Sequence, residues 1–364
     1  MGGNSLGRVF TVSSFGESHG KCVGAIIDSP PSGLRIDRQH ISLYLKRRMR
    51  GYGSTGRKEP EDFEILSGVF RDHTTGAPLL LLIWNRDVDS SFYESIKSKP
   101  RPGHADYVAR IRYGGWNDYR GGGRFSGRIT AGFVAAGSVA LQLLKKIGIR
   151  IYAYSKSIGP VSTEATPREE FLKSVYENPL RTIPSDSYDS MCNVIERAKQ
   201  SGDSVGGVVE CWIFGLPVGI GDPVFHSLDS DIAYANMCIP GIKGVEFGLG
   251  FQCTRMLGSE FNDSPIIKDN KVIYETSKSG GILGGISTGA PIYFRLAVRP
   301  TPSIYLPQRT VDLEKMAEAE LKLEGRFDTC IVPRVVPVVE CVTAIVLVDH
   351  LMYQGFIPQV LKEV

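Results

Sequence analysis

Apolar residues fall into short runs broken by glycine and proline, and only a few stretches keep a helical period. Residues 8–13 and 22–28 read as strands on either side of the polar turn Gly16-Glu17-Ser18-His19-Gly20. The run 78–84 is continuously apolar and predicts a short strand buried on both faces, and 205–214 and 292–298 read as further strands. Asp37 caps a predicted helix reaching Met49, with Ile41 and Leu45 on one face and Lys46, Arg47, Arg48 and Arg50 at the end where cations suit the helix dipole. Residues 127–147 predict a core helix. Phe133, Val134, Val139, Leu143 and Leu144 make its apolar face, and Ala135, Ala136, Gly137 and Ala140 allow close packing. Thr166-Pro167-Arg168-Glu169 has capping-box spacing and predicts a surface helix to about 178. Further helices are predicted at 228–238, at 311–324 as an amphipathic helix, and at 338–353. Strands in runs, then a helix, then strands again predict an α+β layered fold rather than a regular βαβ succession. Glycine and proline are spread evenly, so residues 1–364 are expected to form one intertwined domain.

Composition adds exclusions. With 42 basic against 39 acidic residues the net charge is only +3, which excludes a domain-wide nucleic-acid face. Seven cysteines lie far apart with no Cys-x-x-Cys pair, so neither a zinc site nor a disulfide framework is expected, and the compartment is expected to be reducing. No basic-then-apolar leader opens the chain, which points to a cytoplasmic protein. The apolar stretch 331–348 contains Arg334, Glu340 and prolines and is expected to be a buried element, not a membrane span.

The candidate chemistry sits in loops. Gly51-Tyr52-Gly53-Ser54-Thr55-Gly56 matches the dinucleotide fingerprint letter for letter, but a helix precedes it where a strand is required, so it reads as a glycine loop beside basic residues. Residues 119–128, reading YRGGGRFSGR, place arginines and a serine just before the core helix; they form either an anion site or a loop that touches RNA loosely. Histidine is scarce, and His19 and His104 stand in glycine-flanked loops that can present a titratable group at a pocket. His40, His73, His226 and His350 read as structural, and no histidine spacing supports a metal. The run 280–287, GGILGGIS, either lets backbone approach a flat ligand or another chain, or is a bulged strand.

In this order FGESHG at 15–20, RPGHADY at 101–107, DYRGGGR at 118–124, GGILGGIS at 280–287, and VPRVVPVVE with LVDHL near the C-terminus resemble chorismate synthase along nearly the whole chain. The resemblance implies a β-α-α-β sandwich, helices packed between antiparallel sheets, in a homotetramer. It implies anti-1,4-elimination of phosphate from 5-enolpyruvylshikimate 3-phosphate, with reduced FMN required and no net redox change. It places His19 by the leaving phosphate, His104 as proton donor at the flavin N1 side, and Asp328 as the group that helps the flavin N5 act as base at substrate C6. Substrate contacts fall on Ser18, Arg48, Arg101, Ser126 and Arg128. Flavin contacts fall on Arg124, Phe125, Ser126, Pro240, Gly241, Gly284, Arg299, Pro300, Thr301, Pro302, Ser303 and Arg326. The chain departs from the family pattern at Phe125, Ile129, Pro302 and Phe327, and Ser54 replaces an arginine. Arg48 matches a position to which NADP contact is sometimes attributed; with its companion replaced by Ser54, the chain is expected not to reduce its own flavin. Two rivals differ in class: a flavin oxidoreductase, which would consume reductant with product, and an RNA-binding protein using the loop 119–128.

Overall fold

A computed structural model of the chain describes residues 3–54, 62–165 and 167–362. Two five-stranded antiparallel sheets dominate it. The first contains β1 (Ser5–Leu6), β2 (Thr11–Gly16), β3 (Cys22–Asp28), β4 (Phe63–Ser67) and β5 (Leu79–Trp84), in the order β1-β2-β3-β5-β4. The second contains β6 (Arg150–Ile158), β7 (Val161–Ser162), β8 (Gly207–Phe214), β9 (Ile242–Phe247) and β10 (Ile292–Val298), in the order β9-β10-β8-β6-β7. Between them lie α1 (Arg38–Met49), α3 (Thr130–Lys146) and α6 (Val332–Tyr353); α2 (Asp106–Arg112), α4 (Tyr188–Gln200) and α5 (Leu228–Met237) complete the larger helices. Helix α3 packs on β3, α6 packs on β6 and β8, and α3 and α6 pack on each other, which makes a β-α-α-β sandwich.

Glycine permits that closeness at two points. A Cβ on Gly132 would lie 2.4 Å from the carbonyl oxygen of Gly24 in β3, and one on Gly137 would lie 2.3 Å from Cys341 Cβ in α6. Helices α3 and α6 are each long and apolar enough to cross a membrane, but both are buried inside the fold. One buried carboxyl within α6 is answered from neighbouring elements: Glu340 accepts from the Ala153 N–H at 2.9 Å and from the Tyr176 hydroxyl at 2.6 Å, and burial raises its carboxyl.

Several expectations hold. The strands at 22–28 and 292–298 coincide with β3 and β10, Asp37 caps α1 through the N–H groups of Gln39 and His40, and β5, β8, α3 and α5 stand within a few residues of their predicted bounds. Others are corrected. The first long strand is Thr11–Gly16, not 8–13, because the N–H groups of Arg8, Val9 and Phe10 all bond to Asp349 Oδ1, at 2.8, 2.7 and 2.9 Å. Residues 311–324 are not a helix. They belong to a hairpin, Gln308–Asp312 with Ala317–Leu321, whose turn is closed by Asp312 Oδ1 accepting from Glu314 and Lys315 N–H while Met316 adopts φ 49°. The predicted 166–178 helix is a short helix Glu169–Lys173 followed by a 3₁₀ turn Val175–Glu177; Thr166 lies outside the described residues. Helix α6 starts at Val332 rather than 338 and carries Pro337 inside it. A proline there leaves the Pro333 carbonyl without its helical donor. Arg181 Nη1 donates to that carbonyl instead.

Candidate active site

Two 3₁₀ turns, Arg120–Phe125 and Gly127–Ile129, lead into α3. Gly121, Gly122 and Gly123 take φ 58°, 82° and 51°, a left-handed path that other residues resist. The path seats two imidazoles: a Cβ on Gly121 would lie 2.4 Å from His19 Nε2, and one on Gly122 would lie 2.8 Å from His104 Nε2. Both glycine-flanked histidines, 85 positions apart in sequence, therefore meet at one loop. His19 Nδ1 is 2.9 Å from Ser90 Oγ, and Tyr93 meets its ring edge-on at 5.1 Å between centroids. His104 Nδ1 is 2.7 Å from Asp106 Oδ1.

His19, Tyr93, His104 and Gly121 line a cavity of about 540 Å³, together with Ser18, Arg48, Arg101, Phe125, Ser126, Arg128, Pro240, Gly241, Arg299, Pro300, Thr301, Pro302, Ser303, Arg326 and Asp328. Arg48, Arg101 and Arg128 are only 4%, 6% and 6% exposed, so each guanidinium needs fixed partners. Arg48 Nε donates to Thr130 Oγ1 at 2.8 Å and its Nη2 to the Gly127 carbonyl at 2.9 Å. Arg128 Nε donates to Asn85 Oδ1 at 2.9 Å, and Arg101 forms a fork on Asp106. Ser126 Oγ accepts the Arg128 N–H at 3.2 Å and caps the second 3₁₀ turn. Arg326 pairs with Asp87 at 3.0 Å, and Asp328 pairs with Arg334. The Arg299 N–H reaches the Gly241 carbonyl at 2.9 Å and Thr301 Oγ1 donates to the Asp328 carbonyl at 2.7 Å, so the two strips that line this wall are stitched together.

Two expected flavin residues do not line the cavity. Arg124 is turned onto β2, donating to Ser14 Oγ and to the Gly16 carbonyl at 2.9 Å. Gly284 tops a tight hairpin, Ile282–Leu283 with Ile286–Ser287, where Gly284 and Gly285 have φ 59° and 80° and a Cβ on Gly285 would meet Ser227; the glycine run is thus a two-residue turn beside the start of α5. The dinucleotide-like loop has no βαβ unit around it, since the paired strands of both sheets are antiparallel; its Gly53 carbonyl accepts from the Thr329 N–H at 2.9 Å, and Thr55 and Gly56 lie outside the described residues. Sequence reasoning missed Tyr93, Ser90 and Arg334. Arg334 stands inside the motif VPRVVPVVE and was legible as a candidate; Tyr93 and Ser90 carry no local signal.

The model of the family described as chorismate synthase matches residues 10–352. The chain belongs to the chorismate synthase family. It is 53% identical over 349 residues to a chorismate synthase of Pyrococcus abyssi, covering 96% of this chain and 97% of that protein. It is 47% identical over 362 residues to one of Dehalococcoides mccartyi, covering 99% and 100%. A crystal structure of a chorismate synthase superposes with a TM-score of 0.78 at 31% identity, covering 96% of this chain and 93% of that one. The chain is therefore a chorismate synthase, a lyase of the shikimate pathway that depends on the reduced FMN the family requires.

The donor set suits that cofactor and an anionic substrate together. Met49, Ile239, Ile331, Val335 and Val338 supply apolar wall for a flat ring, and the cavity size falls within that of small-molecule sites. Arg48, Arg101, Arg128, Arg299, Arg326 and Arg334 all face the same space and suit phosphate and carboxylate.

Proposed function

We propose that this cavity is where phosphate leaves 5-enolpyruvylshikimate 3-phosphate, and that residues 1–364 act as one catalytic domain within a homotetramer. The observation that carries the reading is the convergence of His19, His104, Asp328 and the arginines on one cavity, from loops and helix ends spread between residues 19 and 334. In the elimination the C3–O bond breaks with its electron pair leaving on phosphate, a proton leaves C6, and the remaining electrons form the new double bond. Reduced FMN supplies electron density to that allylic system. Arg48, Arg101 and Arg128 hold the substrate anions as forks, with Ser18 and Ser126 hydroxyls beside them. His19 lies by the leaving phosphate and assists its departure with a proton. Asp328 stands toward the proton removed from C6, and its ion pair with Arg334 aims the carboxylate. Arg299, Thr301, Ser303 and Arg326 would hold the cofactor's phosphate, Phe125, Ser126, Pro240, Gly241, Pro300 and Pro302 would flank its ring, and His104 would serve as a proton donor beside it.

Anaerobic incubation with the phosphorylated enolpyruvyl substrate and photoreduced FMN tests the activity, with chorismate absorbance and phosphate release rising together. Net consumption of reductant in step with product would favour a flavin oxidoreductase. The loop reading as an RNA contact is disfavoured by the use of Arg120 on Asp118 and of Arg124 on β2. Light scattering tests the tetramer, and a monomer at working concentration would remove it.

Asp328→Asn is expected to lower turnover by roughly ten- to a hundredfold with flavin affinity retained, because the amide keeps the shape and loses the proton acceptor. Phosphate release at the wild-type rate would remove Asp328 from the chemistry. With oxidised FMN and NADPH alone, the anaerobic protein is expected to make no chorismate until dithionite or light reduces the flavin. Ser54, which stands in place of an arginine, donates to the Gly51 carbonyl at 2.7 Å and closes its own turn. Steady chorismate formation on NADPH would show that other groups bind the nucleotide.

A further inference from the structure

The geometry points to Asp106 as a positioning residue for the reaction, one carboxylate that fixes which nitrogen of His104 carries the proton while it holds the Arg101 fork. This rests on the role given to His104 above. Asp106 opens α2, two positions after His104. Its Oδ1 lies 2.7 Å from His104 Nδ1 and 2.8 Å from Arg101 Nη2, and its Oδ2 accepts from Arg101 Nε at 2.8 Å and from the Arg101 backbone N–H at 3.0 Å. Burial alone would raise this carboxyl, but the hydrogen bonds and charges of Arg101 and His104 hold it well below the usual carboxylate range.

An ionised oxygen 2.7 Å from a ring nitrogen needs a hydrogen between them, and only the nitrogen can supply it. Nδ1 is therefore protonated whether the ring is neutral or cationic. That leaves Nε2, which lies beside Gly122 in a ring that lines the cavity, as the nitrogen that gains and loses the working proton. Arg101 Nη2 approaches the same Nδ1 to 3.2 Å, yet with a hydrogen already there it has only Asp106 to serve. His19 is held differently. Its Nδ1 faces the Ser90 hydroxyl, which can donate or accept. The two imidazoles on one glycine loop thus differ at Nδ1, where a carboxylate stands behind His104 and a hydroxyl behind His19.

Asp106→Asn tests this. The amide keeps the shape but can present an N–H to Nδ1, which moves the neutral ring's proton to Nε2. ¹⁵N NMR of histidine-labelled protein is expected to show His104 as the Nδ1–H form in the wild type and the Nε2–H form in the variant. Turnover is expected to fall by about 10² to 10⁴, as in other dyads whose tautomer is reversed. Substrate affinity should weaken less than in Arg101→Ala, and Asp106→Glu should recover part of the loss. The Asp106→Asn/His104→Ala double variant should be no slower than His104→Ala alone. A wild-type tautomer in folded Asp106→Asn, or turnover within roughly threefold of wild type while His104→Ala is inactive, overturns the inference and leaves the role of His104 standing. Normal turnover in His104→Ala overturns both.

Discussion

Replacing either His19 or His104 by alanine should lower turnover by about 10² to 10⁴ while leaving the fold intact, the usual size of a general acid or base contribution. Each ring lies in a loop at the cavity wall, and neither belongs to the sheets or to the α3–α6 contact, so removal opens space without breaking the core. The glycine loop beneath them is already in a left-handed path that does not depend on the rings. Losses should therefore appear in the rate of phosphate release at saturating substrate and flavin, with the melting temperature nearly unchanged. Two folded variants with near-normal turnover would reduce both histidines to loop-packing residues. Unequal losses are expected to follow the difference in their supports, a carboxylate behind His104 and a hydroxyl behind His19.

Alanine at Arg48, Arg101 or Arg128 should weaken substrate binding by about 1.5 to 3 kcal/mol each, the scale of a hydrogen bond to a charged group. That is roughly a ten- to 150-fold rise in Kd. Each arginine is buried and spans from the protein to the cavity, so its guanidinium is already oriented before a ligand arrives. Lysine should restore only part of the loss, since a point charge cannot reproduce a planar fork, and at Arg48 it would have to serve both Thr130 and Gly127 from one nitrogen. Isothermal titration with substrate against each variant, paired with thermal unfolding, separates lost grip from lost packing. Unchanged affinity in all three folded variants would move the substrate elsewhere in the cavity.

The sequence was informative where local chemistry decides structure. The continuous apolar run at 78–84 is a strand buried over most of its length and an aspartate before a helical pattern caps it, whereas the glycines at 284 and 285, read as a close backbone approach or a bulge, make a tight turn. It misled where a distant partner decides. Nothing near residues 8–10 announces that Asp349 will take their N–H groups and end the strand's ladder there. Nor does anything near Pro337 show that Arg181 will satisfy the carbonyl a proline orphans, which is why the helix seemed to start after it. The stretch 311–324 failed for the opposite reason. Its apolar positions are too few to separate a period of 3.6 from a period of 2, and the turn at Met316 decides the matter. Site residues were legible when they sat in glycine-flanked motifs. Tyr93 and Ser90, which only touch such residues across space, were not.

Helix α6 is the centre of the sandwich, yet it is made after every strand of both sheets. On the ribosome the second sheet and the outer side of α3 must therefore emerge with the faces that will bury it still uncovered, and that half of the sandwich cannot settle until residues 332–353 have left the exit tunnel. A late-arriving helix with a mean hydropathy of 2.0 over its most apolar window is also a strong lure for targeting factors and chaperones that read apolar segments. Arrested nascent chains stopped before 332 should be open to protease in the second sheet, and protection there should appear in one step once the helix is free, rather than strand by strand.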